Sequence, residues 1–447
     1  MASTYLSRTH GTPTNAYKGT LSYWQKAAST TATNYILACE SGSERMLFYL
    51  TQGKFQAGLR GTSAPPDIDF TVSGLPRFRD PASFYHVVLA WDSTQSTASD
   101  RMKLYVNGVQ YTWSGSGTSG VNDVPQNHVM PMNKSGLPFR IGSTIVGGDY
   151  FEGIMSHIHF CDGTQYQASD FGEYDANGVW KIKTEPSVTY GNNGFWWLKD
   201  TNSATDSSPN SNTPTIGGTL TKTEDNPSNV FATLNPLKSW NDSGTLRQPS
   251  YSYGNTRAIF DDAGQNEQAF STLASSTGKF YCEVKATNVT ATENTRIGIG
   301  DIDYTGTANP NNQSTTIYYA GSGNKRIGSS SSSYGSSYTN GDIIGVAMDL
   351  DNNKLYFSKN GTWQNSGIPT SGSTGTGAID ISDGYNYCFI TEDYASSGNR
   401  YMDTNFGNGY FGSTQISSAG TNASGNGIFE YDVPTGYTAL STKGLNL

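Results

Sequence analysis

Charged residues are scarce in this sequence of 447 residues. Lysine and arginine total 28 and aspartate and glutamate total 37, so the net charge is −9, and neither sign forms a long run. Binding to nucleic acid or to an anionic membrane surface requires clustered basic residues, and the sequence therefore predicts neither partner. Apolar runs are short as well. None approaches the roughly 20 residues that span a bilayer, so no membrane insertion is expected.

Cysteine is also rare, and no pair has the C-x-x-C spacing of a redox or zinc motif. The four cysteines are Cys39, Cys161, Cys282 and Cys388. Each lies in an apolar or aromatic stretch, which predicts buried, reduced thiols. Whether Cys282 and Cys388 come close in the fold is left open. The N-terminal stretch "MASTYLSRTHGTP" lacks the apolar core of a signal peptide, so we expect the chain to fold in a cytoplasm.

The residues that are abundant disfavour helices. Glycine totals 51, aromatic residues make up 12% of the chain, and serine, threonine and asparagine fill much of the rest. Glycine, serine, threonine and asparagine all lose free energy in a helix relative to alanine, whereas short strands and tight turns accommodate them. The composition predicts an all-β protein, and the length predicts two domains.

The strand pattern is interrupted once. Residues 1–200 alternate apolar strand candidates such as "FYHVVLAWD" with turn residues, and we expect them to form the first domain. Residues 201–228 are rich in serine, threonine, asparagine, proline and glycine, which predicts a linker or a long surface excursion. Strand candidates resume in residues 229–447, which are expected to form the second domain. Within it, the low-complexity stretch 329–341 predicts a mobile loop.

One phrase occurs in both predicted domains. "SDRMKLYVNGVQYTW" (99–113) and "DLDNNKLYFSKNGTW" (349–363) each contain an acidic turn, a Lys-Leu-Tyr strand and an Asn-Gly pair. Asn-Gly suits the positive φ angles of a type I′ turn, whose twist matches that of the flanking strands. We therefore expect Asn107-Gly108 and Asn360-Gly361 to close the same antiparallel meander in each domain. The repeat reflects a shared strand arrangement and does not by itself indicate a chemical function.

Both halves resemble known domain families. "YHVVLAWDSTQSTASDRMKLYVNGVQYTW" resembles the middle of a laminin-G or concanavalin-like jelly roll. In the second half, "GKFYCEVKAT", "TRIGIGD", "YTNGDIIGVAMDLDNNKLYFSKNGTW" and "TNFG" are similar to SPRY domains in order and spacing. The resemblance implies two jelly-roll-type β-sandwich domains, a concanavalin/laminin-G-like one followed by a SPRY-like one.

The joining segments resemble virion proteins of tailed bacteriophages. These segments include "SHIHFCDGTQYQASDFGEYDANGVWKIK", "YGNNGFWWLKD" and "VPTGYTALST". The resemblance implies a non-enzymatic structural protein on the virion surface, as a tail-fibre, tail-tip or head-decoration subunit. Its partners would be other virion structural proteins, in a homo-oligomer assembled in the host cytoplasm. No coiled-coil heptads or shaft repeats are visible, which favours a compact subunit over a long fibre.

Aromatic residues in or beside predicted loops are the candidate ligand-binding groups. Tyrosine and tryptophan rings stack on the C–H faces of sugars and offer contact area at low entropic cost. This reasoning predicts binding of a host-surface glycan or receptor through Trp113, Tyr304, Tyr318, Tyr319 and Tyr338. The alternative is that these rings cap the edges of the sandwiches.

Two patterns could hold a metal, although no metal or other cofactor is expected. His157, His159 and Cys161 alternate along one predicted strand and could face a zinc ion, or the histidines could be hydrogen-bonded in a half-buried strand. Asp-x-Asp pairs could supply part of a calcium site, but solvated turn acids are the favoured explanation. The pairs are Asp67/Asp69, Asp301/Asp303 and Asp349/Asp351.

No catalytic residues are expected. A polysaccharide depolymerase of the concanavalin-like class is the alternative function, and it would need two carboxylates facing each other across the sugar. The nearest approach is Glu173 and Asp175 in "FGEYDANG", which we interpret as a loop. The sequence contains no G-x-S-x-G, H-E-x-x-H or phosphate-loop motif. A eukaryotic SPRY adaptor is a third possibility, but the sequence has no RING-type set of Cys and His ligands.

Overall fold

A computed structural model divides the chain into two compact units, Met1–Lys222 and Thr223–Leu447. The structure describes residues 3–446 except 30, 43, 61–67, 73–76, 112, 116–122, 200–203, 243–244, 262–265, 306–308 and 395–398. Helical structure among these residues is limited to short 3₁₀ segments. They lie at Ala98–Asp100, Pro131–Asn133, Ala168–Asp170, Pro310–Asn312, Gln364–Ser366, Pro369–Thr374 and Gly444–Asn446. The predicted all-β fold with two β-sandwich domains is confirmed.

The first unit is built from antiparallel strands. They are β1 Tyr5–Thr9, β2 Lys18–Ala27, β3 Asn34–Ser41, β4 Glu44–Thr51, β5 Lys54–Arg60, β6 Ile68–Val72, β7 Tyr85–Asp92, β8 Met102–Val106, β9 Val109–Tyr111, β10 Trp113–Gly115, β11 Pro138–Ile141, β12 Gly153–Asp162, β13 Gly172–Tyr174, β14 Trp180–Ile182, β15 Phe195–Trp197 and β16 Thr215–Gly217. One sheet has the order β10-β6-β5-β4-β3-β11-β1-β16 and the other β15-β12-β2-β7-β8-β9, while β13 and β14 form a separate hairpin.

The main core of the first unit lies between its two sheets. Alternate residues of each strand point into it, among them Leu37 and Phe48 from the first sheet and Leu89, Leu104 and Phe160 from the second. All five are at most 2% exposed. Because side chains alternate across a strand, the remaining residues of β7 and β8 point to the opposite face of the second sheet.

The outer face of the second sheet is covered as well. Val88, Tyr105 and Cys161 pack there against Phe171 and Tyr190, which belong to the segment after β12. The alternating pattern of β8 suggests a strand with one face in solvent. Tyr105 is only 7% exposed, however, so this face of β8 is covered as well. The segment after β12 thus makes a third layer of the unit, and the hairpin of β13 and β14 belongs to it.

The segment 204–217, within the stretch expected to be a linker, packs on the first unit. Ala204 joins the core, and β16 pairs with β1. Asp206 is 8% exposed, and its carboxylate accepts hydrogen bonds from the backbone N–H groups of Trp196, Ser208 and Asn212 at 2.6–2.9 Å. Short polar residues therefore anchor this segment through hydrogen bonds, a role that their composition does not reveal.

The second unit is also built almost entirely from antiparallel pairs. Its strands are β17 Trp240–Asp242, β18 Thr245–Arg247, β19 Ser250–Ser252, β20 Arg257–Phe260, β21 Asn266–Phe270, β22 Lys279–Thr287, β23 Arg296–Asp301, β24 Ile317–Ala320, β25 Asn324–Ile327, β26 Ser330–Ser333, β27 Ile343–Asp349, β28 Lys354–Lys359, β29 Thr362–Trp363, β30 Ile379–Asp380, β31 Tyr387–Tyr394, β32 Arg400–Asn405, β33 Tyr410–Phe411, β34 Thr414–Gln415 and β35 Thr438–Ala439. The two large sheets have the orders β19-β20-β32-β22-β27-β28-β29 and β21-β31-β23-β24-β25-β26.

The last segment of the chain covers the outer face of the first of these sheets. Tyr281 and Tyr356 from the sheet pack there against Phe429 and Tyr437. Glu283, fully buried on the same face, accepts hydrogen bonds at 2.8 Å from the backbone N–H groups of residues 430 and 431. A buried carboxylate therefore ties the C-terminal segment to the sheet.

The repeated Asn-Gly turns have the predicted geometry. Asn107 and Gly108 have φ angles of 47° and 81°, and Asn360 and Gly361 have 48° and 78°, as a type I′ turn requires. Each asparagine also accepts a hydrogen bond at 2.8 Å from a backbone N–H of the first strand of its meander, that of His86 in β7 or of Ile343 in β27. The same meander, β7-β8-β9 and β27-β28-β29, follows in both units.

The four cysteines are free and buried. Cys282 lies in the core between the two large sheets of the second unit, whereas Cys388 lies on the outer face of its own sheet. The two thiols therefore occupy different layers. In the part of the chain that the structure describes, no helix is long and apolar enough to cross a membrane.

Candidate functional site

Two of the predicted ligand-binding aromatics do not form a described binding surface. Trp113 lies in β10, which pairs with β6, and its side chain is outside the described residues. Tyr304 is half-buried. Its hydroxyl accepts a hydrogen bond at 3.3 Å from the amide of Gln313, and its carbonyl accepts one at 2.8 Å from Lys238. Tyr304 therefore helps to hold the loop that follows β23.

Tyr318, Tyr319 and Tyr338 are buried, in contrast to the expectation that they are exposed on loops. Each is at most 1% exposed. Tyr319 points from β24 into the core, while Tyr318 points to the outer face and donates a hydrogen bond to Glu392 at 2.8 Å. The hydroxyl of Tyr338 lies 3.0 Å from the carbonyl oxygens of Thr295 and Tyr319. The stretch 329–341 is therefore anchored by a tyrosine, and none of these rings can reach a ligand without unfolding.

An aromatic stack lies on the outer face of the second sheet of the first unit. His86 of β7 is stacked between Trp24 of β2 and Trp180 of β14, with ring centroids 4.7 and 5.9 Å away. His86 is 1% exposed, and burial lowers its pKa to about 3. The imidazole is therefore neutral at physiological pH.

The tautomer of His86 follows from its partners. The indole Nε1 of Trp180, which can only donate, lies 3.0 Å from Nδ1 of His86, so Nδ1 is the acceptor. The ring proton is therefore on Nε2, which donates to Oγ of Ser22 at 2.9 Å. In a nucleophilic dyad the histidine accepts the serine proton instead. Ser22 and His86 are thus close in space but arranged for structure.

His157, His159 and Cys161 share one face of β12, as predicted, and this is the outer face of the sheet, but each makes structural contacts. Nδ1 of His157 lies 2.7 Å from Oγ of Ser156, and Nδ1 of His159 lies 2.9 Å from the hydroxyl of Tyr190. Burial raises the pKa of the Cys161 thiol and thus disfavours the thiolate that zinc requires. Within the described residues, no group of three or more His, Cys, Asp or Glu side chains could hold a metal ion.

The Asp-x-Asp pairs that the structure describes are engaged in turns. The carboxylate of Asp301 accepts a hydrogen bond from the backbone N–H of Asp303 at 3.0 Å, and that of Asp351 accepts one from Gly278 at 2.7 Å. Asp349 is buried and lies 2.9 Å from the ammonium of Lys279. The side chains of Asp67 and Asp69 lie outside the described residues. The described acids therefore act as local acceptors.

Among the residues of the first unit whose side chains the structure describes, the most exposed aromatic one lies on the hairpin of β13 and β14. Tyr174 is 53% exposed and is paired across the hairpin with Trp180. Its ring meets that of Trp180 edge-on at 4.8 Å, and its hydroxyl donates a hydrogen bond at 3.1 Å to the carbonyl of Asn107. Tyr174 is therefore fixed at both ends while much of its ring remains in solvent.

Trp180 owes its position to two glycines. A Cβ atom on Gly108 or on Gly172 would lie 2.5 Å from a carbon of the Trp180 ring, closer than any packed contact. The indole therefore fits only where the Asn-Gly turn and the start of β13 lack side chains. The exposed Tyr174 rests on Trp180, which in turn rests on His86. We call Tyr174 and Trp180 with their hairpin the tyrosine hairpin.

The two carboxylates of the tyrosine hairpin form ion pairs with lysines. The stretch "FGEYDANG", interpreted as a loop, instead supplies β13 and the hairpin turn. Asp175 lies 2.8 Å from the ammonium of Lys181, and Glu173 lies 3.9 Å from that of Lys183. Asp175 also accepts backbone hydrogen bonds that close the turn. The arrangement suits stacking of a ligand on an aromatic ring more than acid–base chemistry.

Neither Tyr174 nor Trp180 is among the aromatic residues predicted from the sequence. The signal that could have found them is "YDANGVW", in which turn residues separate two aromatic residues that must then face each other. Their importance depends on the third layer, which no local pattern reveals.

Two family models match the chain. Residues 2–168 match the Laminin_G_3 model, described as the concanavalin A-like lectin/glucanases superfamily, and residues 279–378 match the SPRY domain. The chain carries both domain types. This confirms the resemblance of each half. A search of curated proteins finds no match.

Solved structures give weaker likenesses. The SPRY domain of human HERC1 is 15% identical, with 38% of this chain and 96% of that chain covered and a TM-score of 0.30. The CBM40 of a Ruminococcus gnavus IT-sialidase, bound to α2,3-sialyllactose, is 17% identical over 31% of this chain and 72% of its own, with a TM-score of 0.23. A SAP-like pentraxin from Limulus polyphemus is 18% identical, with 37% and 72% covered and a TM-score of 0.27. These likenesses add nothing to the domain assignment.

Proposed function

We propose that this protein is a non-enzymatic binding subunit on the surface of a tailed-phage virion, where it binds a host-surface glycan or receptor. Concanavalin A-like and SPRY domains are carbohydrate- or protein-binding β-sandwiches. The virion assignment is supported by the resemblance of the joining segments to phage virion proteins. Tail-fibre, tail-tip and head-decoration positions all fit a subunit of this kind, with other virion proteins and further copies of the chain as neighbours.

The observation that carries the binding proposal is the fixed, half-exposed ring of Tyr174. A sugar stacks best on an aromatic ring that is already held in place, because little conformational entropy is then lost on binding. Tyr174 meets this condition through its contacts with Trp180 and Asn107. Polar groups at the rim, including exposed Glu173 and Lys181, could then hydrogen-bond to sugar hydroxyls.

The non-enzymatic part of the proposal has its own support. His86 holds its ring proton on the side that faces the buried Ser22, so His86 cannot serve as a base toward that serine. The two carboxylates of the tyrosine hairpin are paired with lysines. Release of oligosaccharides from host polysaccharide by the purified protein would overturn this part and favour the depolymerase alternative.

Binding is tested with the full chain on a glycan array and on host cells. Tyr174→Ala should abolish binding, while Tyr174→Phe, which keeps the ring but loses the hydroxyl, should retain most of it. Tyr17→Ala is the matched control, because Tyr17 is 37% exposed in the same unit and lies outside the tyrosine hairpin. Binding that survives Tyr174→Ala would refute the assignment of the site.

The virion assignment requires a separate test. The chain should be found in purified particles by mass spectrometry, and a map of the intact particle should accommodate its two β-sandwiches. Absence of the chain from purified particles would refute the virion role without affecting the binding proposal.

A further inference from the structure

An arginine on the outer face of the second unit is held between two tyrosine rings. Arg257 of β20 lies with its guanidinium carbon 4.8 Å from the ring centroid of Tyr253 and 5.1 Å from that of Tyr401. Its Nε and Nη2 atoms lie 2.6 and 2.8 Å from the two carboxylate oxygens of Asp403, on the neighbouring strand β32. We call these four residues the arginine clamp.

The buried part of the clamp is held by the protein. Asp403 is 2% exposed, and one of its oxygens also accepts a hydrogen bond from Thr287 at 3.2 Å. A Cβ atom on Gly412 would lie 2.9 Å from the Asp403 carboxylate and 3.0 Å from Nη2 of Arg257, so a glycine lets the chain pass close to the ion pair. A bidentate aspartate fixes the plane of the guanidinium. Arg257 is therefore preorganised.

Part of the clamp is left without a protein partner. Among the described residues, no group accepts a hydrogen bond from Nη1 of Arg257, and the side chain is 21% exposed. The hydroxyls of Tyr253 and Tyr401 likewise form no hydrogen bond with any described residue. These three polar groups, all on residues of the clamp, are thus free to bind a group from solvent.

The local charge favours an anion. Lys285 of β22 lies opposite Asp403 in the sheet, and its ammonium, 5.9 Å from the ring centroid of Phe411, forms no ion pair within the described chain. Arg257 on β20 and Lys285 on β22 lie on the two strands that flank Asp403 of β32, so two cations lie beside one buried carboxylate.

The backbone at Tyr253 is strained in a way that exposes its ring. Tyr253, Gly254 and Asn255 have φ angles of 53°, 66° and 63°, three successive residues in the left-handed region. For a tyrosine this conformation costs about 1–2 kcal/mol. The turn is closed by a hydrogen bond from the hydroxyl of Thr256 to the carbonyl of Tyr253 at 2.8 Å, and Tyr253 remains 40% exposed. Asparagine or glycine would fit this backbone with less strain, so the turn itself does not explain the aromatic ring.

We propose that the arginine clamp binds a sugar residue that bears a carboxylate, such as a uronic acid within an acidic polysaccharide. Nη1 of Arg257 donates to the carboxylate, with Lys285 adding long-range attraction. The solvent-facing side of the Tyr253 ring stacks on the pyranose, and the two tyrosine hydroxyls bond to sugar hydroxyls. This site is separate from the tyrosine hairpin and lies in the other unit, so either site can fail without the other.

The decisive variant is Tyr253→Asn. Asparagine tolerates the left-handed conformation, and the strain that it relieves offsets the lost contact between the ring and Arg257, so this variant should fold while it lacks the stacking ring. Arg257→Gln removes the cation but leaves Asp403 buried without its partner, which can unfold the unit. Tyr385→Ala is the matched control, because Tyr385 is 41% exposed in the same unit and is not part of the clamp.

Binding is measured by NMR titration of the full chain with glucuronic acid, glucose and inorganic phosphate. We expect shifts of the resonances around Tyr253 and Arg257 with glucuronic acid, weaker binding as salt is added, and no response to glucose. In Tyr253→Asn the Kd should rise by about tenfold or more, and in Tyr385→Ala it should not change. A lack of response to glucuronic acid, an equal response to phosphate, or full binding by folded Tyr253→Asn would each overturn the proposal.

Discussion

Replacing Glu283 with glutamine should change how the stability of the second unit depends on pH. Burial raises the pKa of Glu283 to about 7 from an ordinary value of 4.5, although hydrogen bonds from the N–H groups of residues 430 and 431, from Tyr281 and from Asn405 oppose this. The folded state therefore holds a proton in a pH range where the unfolded chain has released it. In that range, raising the pH lowers the free energy of unfolding.

The magnitude follows from the two pKa values. The interval from 4.5 to about 7 corresponds to roughly 3 kcal/mol, at about 1.4 kcal/mol for each pH unit. This contribution is fully present below pH 4.5, falls as the pH rises through 7, and is then exhausted. Of the total, about 2.5 kcal/mol should be lost between pH 5 and pH 8. Glutamine cannot lose a proton, so the variant lacks this component. The amide N–H₂ of glutamine also faces N–H and O–H groups that can no longer find an acceptor there, which lowers the free energy of unfolding by about 1–3 kcal/mol at every pH.

The assay is denaturant unfolding of the wild type and Glu283→Gln at pH 5 and pH 8. Hydrogen exchange of peptides covering residues 428–433 reports the same segment directly. The stability advantage of the wild type should shrink by about 2.5 kcal/mol between the two pH values. Glu430→Gln is the control, because Glu430 is adjacent in space but partly exposed. If the advantage is the same at both pH values, Glu283 is ionised throughout and the reasoning fails.

Two further predictions concern the first unit. Gly108→Ala and Gly178→Ala both place a side chain at a φ angle near 80°, but only at Gly108 does the new side chain meet the Trp180 ring. In denaturant unfolding, Gly108→Ala should therefore lower the free energy of unfolding by about 1–3 kcal/mol more than Gly178→Ala does. Equal losses of stability would contradict the packing described. Because burial lowers the pKa of His86 to about 3, NMR spectra should show a neutral ring with its proton on Nε2 down to pH 4. The unfolded chain takes up this proton near pH 6.5, so the contribution of His86 to stability is full above pH 6.5 and declines as the pH falls toward 3. Trp180→Phe removes the donor to Nδ1 and should raise the pKa of His86, whereas a titration near pH 6 in the wild type would refute the assignment.

The meanders were predictable because their signals are local. A type I′ turn is dictated by two adjacent residues, and the strands beside it alternate with a fixed period. Asn107-Gly108 and Asn360-Gly361 could therefore be placed from the sequence to the residue. β7 is likewise buried along nearly its whole length, as expected of a strand that is apolar on both faces.

The burial of the predicted aromatics was not predictable, because it depends on layers formed by distant segments. Tyr318 alternates with Tyr319 along β24, and the pattern alone suggests that one of them faces solvent. Instead the outer face is closed by Asn311 and Glu392, which bond to the Tyr318 hydroxyl. A loop that folds back over a sheet leaves no periodicity in the strand that it covers.

The two candidate sites were hidden for a related reason. Tyr174 and Trp180 are separated by a turn, and their support comes from His86, far away in sequence. The arginine clamp joins Tyr253 and Arg257 to Asp403 across a strand pair that no local motif predicts. Only the turn "YGN" gives a hint, because glycine and asparagine there favour left-handed conformations.

The third layer of the first unit has a consequence for synthesis. Val88 and Tyr105 are already on the growing chain long before Phe171 and Tyr190, which shield them. Until those residues emerge, an apolar sheet surface faces water, and nascent chains in that state are prone to associate. The family match ends at residue 168, ahead of both shielding residues. A fragment that ends at that boundary would leave this apolar sheet surface exposed and prone to association, whereas a fragment that continues to Lys222 would cover it.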